Sequence, residues 1–142
     1  MGITLHSSGL TPTEYKTIKE SANWGSVPHN EIIAMALARS LHIVVARDGN
    51  RAVGMARLIG DGIFYWHIQD LIILPEYQER GIGKMLMEHL ITHIKKHMPG
   101  EYTNIGLMSA IGKEGFYEKC GFKKRSDNNR GEGMEKTIQK PE

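Results

Sequence analysis

Residues 70–90 read DLIILPEYQERGIGKMLMEHL, and four features follow one another in them. An apolar run suited to a buried strand ends at Pro75, a polar loop follows, Gly81 and Gly83 stand two apart, and Leu86, Met87 and Leu90 then fall at helical spacing. The first amides of a helix have no partners inside it, and the helix dipole adds positive potential at that end. A bare loop at such a helix start suits a phosphate-bearing ligand. Gly81 and Gly83 permit left-handed dihedrals and close approach to the backbone. Gln78, Arg80 and Lys84 bring side-chain donors for phosphate oxygens. On glycine spacing alone, the plainer reading is a strand-to-helix turn with no ligand.

Working outward, residues 63–74 (IFYWHIQDLIIL) predict the longest strand, apolar on both faces like a central strand covered on both sides. Ahead of it, 42–47 and 52–60 predict strands joined at Asp48-Gly49-Asn50, with a second hairpin turn at Asp61-Gly62. Residues 3–6 are a short first strand. Thr11-Pro12 with Glu14 marks a helix start that runs to about Ala22, and Asn30 suits the cap of a helix over 31–39. Downstream, Leu86, Met87, Leu90, Ile91, Ile94 and Met98 form one apolar stripe, stopped by Met98-Pro99-Gly100. Residues 102–108 predict a fifth strand and 112–120 a short helix ended by Gly121. Residues 122–125 and 133–138 predict a last hairpin around a polar loop. This order predicts an α/β chain, a mixed sheet with helices on both faces, in a single domain over residues 1–142.

The 142 residues, 40% hydrophobic and 24% charged, have the composition of a soluble globular protein. A net charge of +2, evenly scattered, argues against nucleic acid as a partner, while a pI near 8.7 permits an anionic ligand. The lone Cys120 excludes an internal disulfide and fits a reducing compartment. No apolar run approaches the roughly 18 residues of a membrane span, and MGITLHSSGL lacks the build of a signal peptide. A cytoplasmic protein with no membrane partner is expected. His89, His93 and His97 recur every four residues without a carboxylate or thiolate partner, so a structural role and no metal are expected.

Gln78-Glu79-Arg80-Gly81-Ile82-Gly83 resembles the Q/R-x-x-G-x-G/A signature of the GNAT superfamily of acetyltransferases, and residues 71–77 resemble the strand and turn before it. Gly115-Phe116-Tyr117-Glu118-Lys119-Cys120-Gly121-Phe122 is similar to that family's late F/L-Y-x-x-x-G-F segment. The two motifs stand in family order and spacing. The resemblance implies the GNAT acyl-CoA N-acyltransferase fold, with two central strands splayed to admit a pantetheine arm. It implies acetyl-CoA as cosubstrate and no metal. It implies that Gln78, Glu79, Arg80, Gly81, Ile82, Gly83 and Lys84 hold the pyrophosphate, and that the main chain of Leu71, Ile72 and Ile73 pairs with the pantetheine amides. There is one departure. Many relatives carry an Asn seven residues before this Tyr, with Ala or Ser three residues after the Asn. Ala110 and Lys113 stand at those places, and Lys113 would substitute through a phosphate or solvent-side contact.

Acetyl transfer from a thioester to an amine needs the donor held, the amine neutral, the oxyanion stabilised and the leaving thiolate protonated. An alkylammonium has a pKa of roughly 10.4, so a base or a water relay must take its proton. Asp70 is the first candidate, since desolvation within an apolar strand would raise its pKa. In many relatives an acidic residue at or near this place does that job. The alternative is a carboxylate that satisfies donors at a strand bulge. His67 is the second candidate, and is as readily an ordinary strand histidine. A substrate that arrives partly deprotonated needs neither. The resemblance puts Tyr117 at the family's general-acid tyrosine; the alternative is a core aromatic. A backbone N–H near Ile72 or Ile73 would meet the oxyanion. Trp24, Tyr65 and Trp66 either line an acceptor pocket for an apolar or cationic amine or belong to the core. The expected function is an N-acetyltransferase that moves acetyl from acetyl-CoA to a primary amine, of a small molecule, by direct attack in a ternary complex. The alternatives are a peptide or protein acceptor, and a non-catalytic coenzyme-binding sensor. No stretch names the acceptor or reports a homodimer, although dimers are common in relatives.

Overall fold

The structure is a computed structural model describing residues 2–141. Two compact units divide them, one ending at Leu107 and the other beginning at Met108. The first contains β1 (Ile3–His6), α1 (Pro12–Ser21), α2 (Asn30–Ala38), β2 (His42–Asp48), β3 (Arg51–Gly60), β4 (Tyr65–Ile73), a 3-10 turn (Pro75–Tyr77), α3 (Ile82–His97) and β5 (Asn104–Leu107). The sheet order is β1-β2-β3-β4-β5. The first four strands run antiparallel and β5 pairs parallel to β4, so the sheet is mixed, as expected.

Local chemistry explains most of the boundaries. Thr11 Oγ1 accepts from the Glu14 amide at 3.1 Å while Glu14 Oε1 accepts from the Thr11 amide at 3.0 Å, a complete capping box ahead of Pro12. α2 starts one residue earlier than expected. His29 takes the cap position, and the Asn30 side chain instead donates to Thr13 Oγ1 on α1. β4 is shorter than its apolar run: Asp61 Oδ1 accepts from the amides of Ile63, Phe64 and Tyr65, which holds the first two in the turn. Gly60 turns that corner at φ +129°, where a Cβ would stand 2.4 Å from the Tyr65 carbonyl oxygen.

Helices cover both faces. α3 packs across β2, β3 and β4, and α1 packs on β3, β4 and α2. Gly54 of β3 lies against Leu86 of α3, whereas Arg57, three residues on and so facing the other way, reaches the α1 side. α3 buries Ile82, Leu86, Met87, Leu90 and Ile94; the expected stripe members Ile91 and Met98 are only half-buried. On the same face, His93 stacks between His42 of β2, with ring centroids 3.7 Å apart, and His97 at 4.1 Å. His42 and His89 bring their Nε2 atoms to 2.9 Å. The rings lie face to face, and among the described residues no three His, Cys, Asp or Glu side chains converge as metal ligands. Burial holds the His42 and His89 imidazoles below the usual range. Burial and the neighbouring histidines bring His93 down to about 4.

The second unit holds α4 (Glu114–Lys119), ended by Gly121 at φ +95°, and a 3-10 turn (Arg125–Asn128). The expected last hairpin is absent: no described residue after Leu107 is in a strand. Residues 122–141 contain three large apolar side chains, Phe122, Met134 and Ile138, and the last two are exposed. Such a segment has no apolar face to bury, and strands without one gain little over hydration. No helix among the described residues is long and apolar enough to cross a membrane.

Candidate active site

The loop singled out in the sequence turns on two left-handed residues, Glu79 at φ +63° and Gly81 at φ +81°. Backbone of alternating hand makes successive N–H groups converge, the geometry of an anion-binding concavity. Gly81 is the N-cap of α3 and offers no side chain to the first turn, so the amides of Ile82, Gly83 and Lys84 receive no side-chain cap from it. The space where its Cβ would stand is open, with nothing within 4 Å. Lys84 is exposed, and Arg80 lies over the Tyr77 ring at 4.9 Å. Tyr77 is itself fixed by donating to Asp48 Oδ2 at 2.6 Å. Gln78 Nε2 donates to the Ile73 carbonyl at 3.1 Å and ties the loop back to β4.

β4 has two unlike halves. Trp66, His67 and Ile68 pair with β3 on one edge, and Tyr65 to Ile68 pair with β5 on the other. The β5 ladder ends at Ile68, so Ile72 and Ile73 have a strand partner on the β3 side alone, and Leu71 falls at the register break. Between the halves the β3 register shifts, and Asp70 sits at φ +57°, a bulge residue in left-handed conformation. The bulge reverses which face alternate residues take. Trp66 meets His93 of α3, while Asp70 meets α1, although both stand at even positions along the strand.

Asp70 is 3% exposed and fully engaged. Its Oδ1 accepts from Lys19 Nζ at 2.5 Å, and its Oδ2 accepts from Tyr15 Oη at 2.7 Å and Arg57 Nε at 2.8 Å. Arg57 also donates to Ser40 Oγ, just beyond α2. Burial pushes the carboxyl up, but the hydrogen bonds from Lys19, Arg57 and Tyr15 and the Lys19 charge more than offset it, leaving the pKa below the usual carboxylate range. The expectation of a raised Asp70 pKa is thus overturned. Burial, with the same contact, pushes the Tyr15 phenol well above its ordinary value. Nothing in the sequence marked Tyr15, Lys19 and Arg57. The one local trace was the four-residue spacing of Tyr15 and Lys19, which puts both on one helix face.

His67 is half-buried and shares a sheet face with Arg57, since Arg57–Gln69 and Ile59–His67 are cross-strand pairs two steps apart. It stands opposite Gly106 of β5, where a Cβ would lie 3.7 Å from its Nδ1. The three aromatic candidates do not come together. Trp66 is 4% exposed, in the core against α3, because the pleat sends it to the face opposite Tyr65. Tyr65 is 64% exposed, and Trp24, 49% exposed, has Lys19 Nζ 5.2 Å above its ring. Within the second unit, Tyr117 packs edge-on between Phe116 at 5.2 Å and Phe122 at 6.2 Å. Burial, with a smaller contribution from Cys120, raises its phenol pKa and keeps it protonated. Lys113 caps the start of α4 without a side-chain cap bond.

Known proteins resemble the chain in sequence and fold. The chain is 30% identical over 122 residues to an uncharacterised N-acetyltransferase of Pyropia yezoensis, an alignment covering 83% of the chain and 68% of that protein. It is 34% identical over 93 residues to a peptidyl-lysine N-acetyltransferase of Salmonella typhimurium, covering 66% of the chain and 57% of that protein. A GNAT family acetyltransferase of Streptococcus pneumoniae superposes with a TM-score of 0.81 at 30% identity, covering 98% of the chain and all of that structure (100%). Residues 12–137 match the family model for the acetyltransferase (GNAT) domain, and the chain belongs to that family.

Proposed function

We propose that the chain is an acetyl-CoA-dependent N-acetyltransferase acting on a primary amine of a small molecule, by direct attack in a ternary complex and within a single catalytic domain. The observation that carries this reading is the adjacency of two backbone surfaces, the start of α3 that lacks a side-chain cap and the half of β4 beyond the β5 ladder, where the Gln78 side chain meets the Ile73 carbonyl. A diphosphate fits the first, where the open space at Gly81 admits close approach. A chain of amides fits the second by strand addition. The coenzyme supplies an activated acetyl group. The loop from Gln78 to Lys84 would hold its diphosphate, chiefly by main-chain donors, with Lys84 adding charge. Leu71, Ile72 and Ile73 would align the arm.

With the Asp70 carboxylate occupied by three donors, the amine proton goes to His67, directly or through water, or is lost before binding. Tyr117, protonated across the neutral range, would give its proton to the leaving sulfur, as the late motif supports. A peptide lysine is the second reading. It is favoured by the name of the Salmonella relative and by the exposure of Trp24 and Tyr65, which form no closed aromatic pocket with Trp66. Free-thiol release with acetyl-CoA, against a panel of amines, amino acids, aminosugars and lysine peptides, tests both. Turnover confined to small amines supports the first reading, turnover with peptides the second, and neither would remove the enzyme assignment.

A further inference from the structure

We propose that Asp70 is a positioning residue that holds the β4 bulge in place and thereby sets which amides and carbonyls of residues 71–73 face the coenzyme arm. The proposal rests on the acetyl-CoA reading above. A non-glycine residue in left-handed conformation inside a strand is strained and persists only where its surroundings over-determine it. Here they do so from two elements: α1 supplies Tyr15 and Lys19, one turn apart, and the neighbouring strand supplies Arg57. Aspartate tolerates this conformation better than most residues, and its two oxygens accept all three donors at 2.5–2.8 Å. The consequence lies one residue further on. A strand alternates the edge to which successive N–H and C=O groups point, so loss of the bulge would shift the β3 register by one and exchange the edges of Leu71, Ile72 and Ile73. The carboxylate acts through geometry and takes no proton.

The test compares two probes on the full chain by calorimetry. Coenzyme A engages both the loop and the strand edge, whereas adenosine 3′-phosphate 5′-diphosphate carries the phosphates without the pantetheine arm. Asp70→Gly keeps the left-handed freedom and removes the clamp. It is expected to weaken coenzyme A about tenfold, the equivalent of one or two lost hydrogen bonds, and the nucleotide by less than about twofold. Asp70→Asn, which keeps shape and conformation but loses the charge, is expected to weaken coenzyme A by about threefold, with the same selectivity. In turnover, KM for acetyl-CoA should rise in both variants, while kcat at saturation and its pH profile stay put. Lys19→Met removes one donor from outside the strand. It should move the coenzyme A affinity in the same direction by about threefold, and serves if Asp70→Gly does not fold. Equal loss of both probes, no loss of either, or a collapse of kcat at unchanged KM would overturn the proposal. A wild-type chain that binds neither probe would instead overturn the acetyl-CoA reading, and this proposal with it.

Discussion

The two halves of β4 differ by a single residue's conformation, yet they serve different ends. Trp66 to Ile68 are enclosed by ladders on both edges and belong to the architecture. Ile72 and Ile73, past the left-handed Asp70, keep a ladder on one edge only and adjoin the loop that opens α3. A site of this kind is made by ending a regular pattern early, while the fold is secured by completing it. Substitutions in the first half, His67 apart, should therefore be read in stability, and those around the second in binding and turnover.

The largest effect is expected at the corner that feeds the enclosed half. Gly60→Ala places a Cβ 2.4 Å from a carbonyl oxygen at a left-handed φ, so unfolding by denaturant should show a loss of more than about 3 kcal/mol. A loss below about 1 kcal/mol would mean that the turn rearranges freely and that the enclosed half is less fixed than described. Next, Tyr117→Phe is expected to lower kcat about 100-fold with coenzyme affinity unchanged and no loss of melting temperature, the signature of a proton donor. An unchanged kcat would remove Tyr117 from the reaction. Gly81→Ala stands on the boundary of the comparison. Its φ of +81° predicts a stability cost of about 1 kcal/mol and, from crowding of the diphosphate, roughly tenfold weaker coenzyme binding in a titration. Stability loss without any binding loss would mark Gly81 as a turn residue alone.

The smallest effect concerns pH. His42, His89 and His93 have pKa values below those of the unfolded chain, so the folded state favours their neutral forms. Their contribution is complete above about 6.5, the unfolded value, and is lost as pH falls toward the folded His93 value of about 4. Melting temperature should therefore decline across that window, and His93→Gln should flatten the decline. An identical decline in the variant would assign the acid limb elsewhere.

What could be read from the sequence was local. Thr11 and Glu14 close a ring within four residues, so the start of α1 was legible from two letters, and the glycine pair at 81 and 83 marked the loop for the same reason. The Asp70 environment was not legible. Its partners lie 55, 51 and 13 residues away, and nothing near residue 70 announces that three donors converge on it. The bulge was foreseen only as an alternative for Asp70, and its consequence, the reversal of faces that turns Asp70 toward α1 although Trp66 faces α3, was missed with it. The expected last hairpin failed for the opposite reason. Short β-prone runs suggested strands, but strand formation depends on a neighbour and a buried face, and the segment brings neither.

α1 is fastened to the sheet near both of its ends. Glu14 accepts from both terminal nitrogens of Arg47, at 2.7 and 3.0 Å, and Arg47 in turn donates to the Gly9 and Asn50 carbonyls. Tyr15, the next residue, and Lys19, one turn beyond it, grip β4. Ten residues of helix are too few to hold together alone in water, but a beam bolted at two points neither frays nor slides. Its central amides should exchange with deuterated solvent as slowly as those of β3, and any push on its outer surface would be felt at the strand beneath as tilt, with no play in between.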